Sequence, residues 1–340
     1  MSEVLYDIGD VYPATAYEPA DDLWLVTAYF NPLGYHTRRR NYERFRDVIA
    51  RSGLQLLTIE CAIGRGAFAL PPSADVLRVR ARHLLWQKER LLNLAIAQLP
   101  ARCTKVAWLD CDVVFENPQW AVETSRALER HWVVQPYTMA VRLPQDADRH
   151  RDAERVNRAF ASIYPEAPQH LGEGDYDKHG DTGLAWAARR EALARCQLYD
   201  ACIVGGGDHV MAHAMCGDWV SPCIDRLLGA HSTRREHFVR WAKNVWTCVG
   251  GNVGCVPGAA LHLWHGERSN RRYRLRHGEL KRFGFDPETD VRIGRTGCLE
   301  WASHKPALHR WVKEYFRSRE EDGAAPPVAE GTALEPAGGP

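Results

Sequence analysis

Two apolar rhythms alternate along the chain. Leu23 to Tyr29 (L-W-L-V-T-A-Y) is a short, nearly unbroken apolar run closed by N-P-L-G, the pattern of a strand entering a turn. From Arg38 to Arg51 the period changes, and Tyr42, Phe45, Val48 and Ile49 recur at helical spacing. Leu54 to Cys61 predicts a second strand, His83 to Leu99 a strong helix, and Lys105 to Phe115 a third strand. Trp120 to Arg130 reads as helix and Val133-Val134 as a strand core. Leu184 to Cys196 and His209 to Met215 read as further helices. Strands alternating with helices predict an α/β fold with a parallel, doubly wound sheet.

The same pattern sets the expected organisation. Residues 1–21 lack periodicity and read as an N-terminal arm, and 22–320 as one domain. The Pro-, Gly- and Ala-rich stretch 321–340 reads as a disordered tail. Residues 142–182, polar and rich in Asp, Arg and His, read as a long, partly mobile insertion. The sequence shows no internal repeat.

Composition narrows the function classes. With 340 residues, 45% hydrophobic, and a formal charge of +1, the chain is an ordinary globular protein without an overall pull toward nucleic acid or an anionic membrane. No apolar run approaches the ~20 residues of a transmembrane helix. The opening M-S-E-V-L-Y-D-I-G-D lacks the basic and apolar regions of a signal peptide. Ten cysteines are scattered without a C-x-x-C pair, which argues against a zinc ribbon and for reduced thiols. The expected location is therefore cytoplasmic.

The chemistry concentrates in V-A-W-L-D-C-D-V-V-F, where Asp110 and Asp112 follow a buried-strand pattern. In an extended segment residues i and i+2 share a side, so the two carboxylates project together. Such a pair is relieved by a divalent cation, Mg²⁺ or Mn²⁺, at the carboxyl end of a strand. The plainer reading makes one Asp a turn cap and the other a solvated acid. Lys88 falls on the apolar stripe of the helix expected from His83. Either it snorkels to the edge, or it meets an anion such as a nucleotide phosphate. His262 and His265, if extended, point to opposite faces, one toward the sheet interior and one toward the site. The run Arg268, Arg271, Arg272, Arg274, Arg276, Lys281 and Arg282 is a solvated basic loop or a clamp on a diphosphate.

Taken in order, these motifs resemble metal-dependent glycosyltransferases of the GT-A fold, similar to the broad family-2 group, over roughly residues 22–300. The resemblance implies a mostly parallel, mixed central sheet with helices on both faces. It implies that the early strand with Thr27 and Tyr29, and Glu60 at the end of the second strand, contact the nucleotide. The D-x-D would be joined by His265 of H-x-x-R as third metal ligand, with Lys88, Arg268 and Arg272 toward the diphosphate. T-G-L-A-W-A-A-R-R resembles the segment lining the sugar site, giving Gly183 on the donor side and Trp186 on the acceptor side.

The segment G-G-G-D at 205–208 resembles G-G-E-D of inverting members, with Gly207 where a Glu is usual. On that resemblance Asp208 is the general base, and Gly206 and Gly207 admit the acceptor. Read from its own position, Asp208 would also serve as a helix N-cap. The implied partners are a nucleotide-diphosphate sugar, a UDP-sugar favoured, and a glycan, lipid-linked or protein acceptor. A retaining transferase and a catalytically silent sugar-binding protein remain open. A sugar-phosphate nucleotidyltransferase is disfavoured, since no Gly-rich basic loop follows the first strand.

Overall fold

A computed structural model describes residues 22–173, 178–273 and 275–323. Leu23–Tyr29 forms β1, followed by α1 (His36–Arg51), β2 (Gln55–Ile63), β3 (Val76–Ala81) and α2 (Lys88–Gln98). Next come β4 (Lys105–Leu109), β5 (Val113–Phe115), α3 (Trp120–Leu128), β6 (Val133–Gln135), β7 (Met139–Arg142) and β8 (Arg155–Arg158). Two short helices, α4 (Phe160–Ile163) and α5 (His170–Glu173), lead to β9 (Ala185–Arg189) and α6 (Arg190–Cys196). Then follow α7 (Gly207–Met215), α8 (Pro222–Leu228), α9 (Thr233–Val249), β10 (Val253–Cys255) and β11 (Ala259–His262). The last elements are α10 (Leu275–Lys281), β12 (Val291–Ile293), β13 (Leu299–Trp301) and α11 (Pro306–Arg317).

The main sheet has seven strands in the order β10-β6-β9-β4-β1-β2-β3. It is parallel except at β9, which runs antiparallel to both β4 and β6. A second sheet, β5-β11-β7-β8, lies beyond the end of β4. Side-chain alternation along β1 feeds a core on each face: Val26 and Phe30 pack with Leu91, Leu92 and Ala95 of α2. Leu25 and Tyr29 pack with Tyr42 and Phe45 of α1 and Trp120 of α3. The architecture is thus the expected α/β one, a mostly parallel mixed sheet with helices on both faces.

Several expectations are corrected, each for a tertiary reason. The helix read from His83 begins at Lys88, because the preceding backbone is claimed elsewhere. Trp86 N–H donates to Ile203 O at 3.0 Å, and the Gln87 amide bonds both the N–H and the C=O of Leu299 at 3.0 and 2.9 Å. The strand expected over 105–115 turns at 110–112 and splits into β4 and β5, placed in different sheets. Leu184 to Cys196 opens as strand β9, whose alanines fit a slot buried between β4 and β6. Residues 142–182 contain β8, α4 and α5 rather than one irregular insertion.

The boundary set at Glu321 also shifts: Glu321 is 2% exposed and belongs to the folded body. The expected arm 1–21 and the part of the expected tail from 324 lie outside the described residues.

Gln87 is fully buried, so truncating its amide strands two backbone groups. Gln87→Ala is expected to lower stability by about 1–3 kcal/mol, measured by urea denaturation. An unchanged midpoint would show that these bonds do not fix the start of α2.

Candidate active site

The carboxyl ends of β1 and β4 open into a cleft of about 270 Å³. Its walls come from the β4–β5 turn, the segment 179–184, the first turn of α7, the end of β11 and the arginine-rich loop that follows it. Asp110 and Asp112 both line it.

One side is built on Lys88. Its ammonium lies 2.5 Å from Asp110 Oδ1 and 2.8 Å from Asp208 Oδ2, and so bridges the end of β4 to α7. Sequence reasoning aimed this amine at a phosphate, whereas the structure gives it two carboxylates. Its position as first residue of α2, rather than mid-helix, is what lets it reach them. Flanked by both acids, Lys88 titrates well above the ordinary lysine range despite its burial.

Asp208 is not an N-cap. That position belongs to Gly206, in the left-handed region at φ 95°, and Asp208 lies inside the first helical turn without a capping bond. Burial, and secondarily Asp110, raises its pKa, while Lys88 opposes the rise.

Gly207 explains itself sterically. A Cβ there would meet Glu89 Oε1 at 2.5 Å, so the carboxyl of Glu89 fills the space a side chain at 207 would need. Glu89 of α2 thereby requires a glycine at 207, a constraint that no local motif discloses. Glu89 is held by the Trp86 indole N–H at 3.0 Å, and burial, with Asp208 next, pushes its pKa up to about 8.

On the other side, Asp112 is buried with His262 and His265. Asp112 Oδ2 lies 3.2 Å from His265 Nε2, and Oδ1 lies 3.7 Å from His262 Nε2. The two imidazole Nε2 atoms are 3.1 Å apart. They do not point to opposite faces, because β11 ends at His262 and the chain turns before His265.

The hydrogen bonds fix the tautomers. Arg142 can only donate, so His262 Nδ1, 3.2 Å from it, accepts and His262 carries its proton on Nε2. His265 Nε2 then accepts from His262, leaving the His265 proton on Nδ1, 3.6 Å from Glu321 Oε1. Burial first, then Arg142 for His262 and Arg271 for His265, keeps both rings neutral. Asp112 is raised to about 6 by burial and then by Asp110.

This set fits a divalent cation. Asp112 Oδ1 is buried without a hydrogen-bond partner, and the donors are one carboxylate and neutral imidazole nitrogen. Glu321 braces His265 from behind, itself held by Arg38 at 3.2 Å and by Arg319 Nε at 2.6 Å. A carboxylate behind a ligating histidine is a recurrent support in metal sites.

The remaining expected residues divide. Gly183 and Arg268 line the cleft, as does Gly206, where a Cβ would press on His277 at 3.0 Å. Thr27 does not: its hydroxyl donates to Leu109 O at 2.8 Å between strands. Tyr29 packs at a tilt against Tyr42 in the core, and Ala28 and Phe30, of opposite parity, face the cleft instead. Glu60 accepts the backbone N–H groups of Ala69 and Leu70, at 2.5 and 3.1 Å, and so ties a loop rather than lining the cleft. Trp186 is a buried strand residue whose indole bonds Thr182 O at 2.9 Å.

Arg272 turns away to pair with Glu279, and its place is taken by Arg271 and Arg276. Arg274 lies outside the described residues. Arg142 and Arg155, from the second sheet, complete a guanidinium wall that sequence reasoning missed. Tyr273 sits among them. Burial pushes its pKa up, but Arg271, Arg142 and Arg276 outweigh this and bring it down to about 8.

No protein-family model matches the chain, and no curated protein matches it. Among solved structures it is similar to glucosyl-3-phosphoglycerate synthase from Mycobacterium tuberculosis in complex with Mg²⁺ and UDP. That match has 12% identity and a TM-score of 0.37 over 87% of this chain and 91% of that one. Mannosyl-3-phosphoglycerate synthase from Rubrobacter xylanophilus matches with 12% identity and TM-score 0.38, over 86% and 92%. The catalytic domain of Drosophila β1,4-galactosyltransferase 7 in complex with xylobiose matches with 10% identity and TM-score 0.35, over 85% and 98%. A likeness this loose carries no argument about the chemistry of this chain.

Glu89 provides a pH test. Its folded pKa of about 8 against the ordinary 4.5 means that the fold binds its proton more tightly than the unfolded chain does. The associated stability is therefore full below pH 4.5 and is lost as pH rises through 8. Glu89→Gln mimics the protonated acid and is expected to flatten the melting temperature between those pH values, followed by circular dichroism. A slope equal to that of the parent protein would show that Glu89 titrates as an ordinary carboxylate.

Proposed function

We propose that the cleft is the active site of a divalent-metal-dependent glycosyltransferase. It moves a sugar from a nucleoside diphosphate donor, a UDP-sugar favoured, to a hydroxyl of a glycan, lipid-linked or protein acceptor. The supporting observation is the composition of one cleft: Asp112 with His262 and His265 beside a wall of arginines, facing Asp208 held by Lys88.

Asp112 and His265 would hold Mn²⁺ or Mg²⁺, with Asp110 near, and a bound cation supplies Lewis-acid neutralisation of the leaving diphosphate. Arg268, Arg271 and Arg276 present forked donors that match phosphate oxygens. The cleft surface of Ala28 and Phe30 offers an apolar bed for the base, and Gly183 and Gly206 leave room for sugar and acceptor.

In inverting transfer the acceptor oxygen bonds the anomeric carbon as the bond to the diphosphate oxygen breaks. The electron pair leaves with the phosphate, and the acceptor proton passes to Asp208. Its raised pKa makes Asp208 a stronger base, while Lys88 favours its charged form. Glu89, neutral near pH 7, adds no competing charge beside it.

Asp208→Asn tests this reading. Lys88 retains Asp110, so the melting temperature and Mn²⁺-dependent donor binding are expected to hold. Transfer is expected to fall ~10²–10⁴-fold, the usual share of a general base, read by product formation from a panel of UDP-, GDP- and TDP-sugars. Transfer at the parent rate, with the donor's anomeric configuration kept, would move the assignment to a retaining mechanism. No Mn²⁺-dependent binding of any donor in the panel would refute the proposal.

A further inference from the structure

A second cluster borders the cleft, where His179 and His209 form part of the wall, and takes no part in the chemistry above. His179, His209, His213 and Cys223 are all buried, and one donor atom from each lies within 4.8 Å of all the others. The imidazole centroids are 4.5 Å apart for His209 and His213, 5.0 Å for His179 and His213, and 5.1 Å for His179 and His209. His209 and His213 are one helical turn apart on α7, the i, i+4 spacing that puts two imidazoles on one face. Cys223 enters from the start of α8, and His179 from the segment ahead of β9.

We propose that these four residues form a closed, tetrahedral zinc site. Packing alone accounts poorly for the donor arrangement. His213 Nδ1 donates to Asp218 Oδ2 at 2.6 Å, and His179 Nδ1 to Gly180 O at 3.0 Å. Both rings therefore turn Nε2 lone pairs toward the cluster, and His213 Nε2 is buried without a hydrogen-bond partner. A cation in their midst would take these inward-facing lone pairs together.

The outward bonds to a carboxylate and a carbonyl are the supports that orient ligating histidines. Three imidazoles and a thiolate suit zinc, while Mg²⁺ and Mn²⁺ prefer oxygen. The charges also close: two positive on zinc are balanced by the Cys223 thiolate and the Asp218 carboxylate, so a neutral assembly is buried. Four protein donors leave no open position, which makes the site structural rather than catalytic. It would clip the segment carrying Asp181 and Gly183 to the first turn of α7, beside Asp208, and to α8. The inference does not rest on glycosyl transfer.

The test measures metal in the purified full chain after dialysis, by inductively coupled plasma mass spectrometry. About one zinc per chain is expected, retained in His265→Ala and lost in Cys223→Ser and His213→Ala. Cobalt replacing zinc in the parent protein is expected to give tetrahedral d–d bands with a thiolate-to-cobalt charge-transfer band. A strong chelator should lower the melting temperature of the parent protein. A zinc-free parent protein without the cobalt band, or parent-level zinc in a folded Cys223→Ser, overturns the proposal. If the variants do not accumulate, the cobalt spectrum of the parent decides in the same two ways.

Discussion

A half-buried ammonium between two carboxylates ties the two sides of this cleft together. Lys88 opens α2, whose Leu91, Leu92 and Ala95 are locked into the sheet core, so its amine is delivered at a set height above the strand ends. There it meets Asp110 from β4 and Asp208 from α7. Shielding charges from water is costly, and the shared ammonium offsets that cost for both carboxylates. The sheet, one helix start and the wall opposite it are consequently held in a single electrostatic arrangement.

Across the cleft the sign reverses. Arg142, Arg155, Arg268, Arg271 and Arg276 crowd one wall, and desolvation, then repulsion from Arg155 and Arg142, draws the pKa of Arg268 below the ordinary range. Asp181 takes Arg142 at 2.7 Å, and Tyr273 lies under Arg276, its ring centroid 4.9 Å from the guanidinium. Cations gathered this densely in one cleft favour a polyanionic guest over a neutral one. That preference belongs to the wall as a whole and does not depend on which guanidinium makes a given contact.

Much of the fold was legible because it follows from periodicity. β1, α1, β2 and α3 appear within a few residues of where the apolar pattern put them. What failed was decided at long range: the start of α2 by Gln87 and Leu299, and β9 by the slot between β4 and β6. Asp110, Asp112, His265, Asp208, Gly183 and Arg268, singled out from local motifs, all line the cleft. Thr27 and Tyr29 were misplaced by strand parity, which a sequence shows only once the facing core is known. Glu89, Arg142 and Glu321 left no local signal, since each is made relevant by a partner far away in the chain.

Glu321 has a consequence in time as well as in space. Its carboxylate braces His265 and binds Arg38 across a separation of 283 residues. During synthesis, the strands carrying Asp110 and Asp112 emerge long before this brace exists. The carboxylate behind His265 is in place only when the turn carrying Glu321 docks. Closure of such a distant loop is among the slower contacts a chain makes. The site thus depends on a contact between distant parts of the chain, and a nascent chain that already has its sheet would still lack that brace.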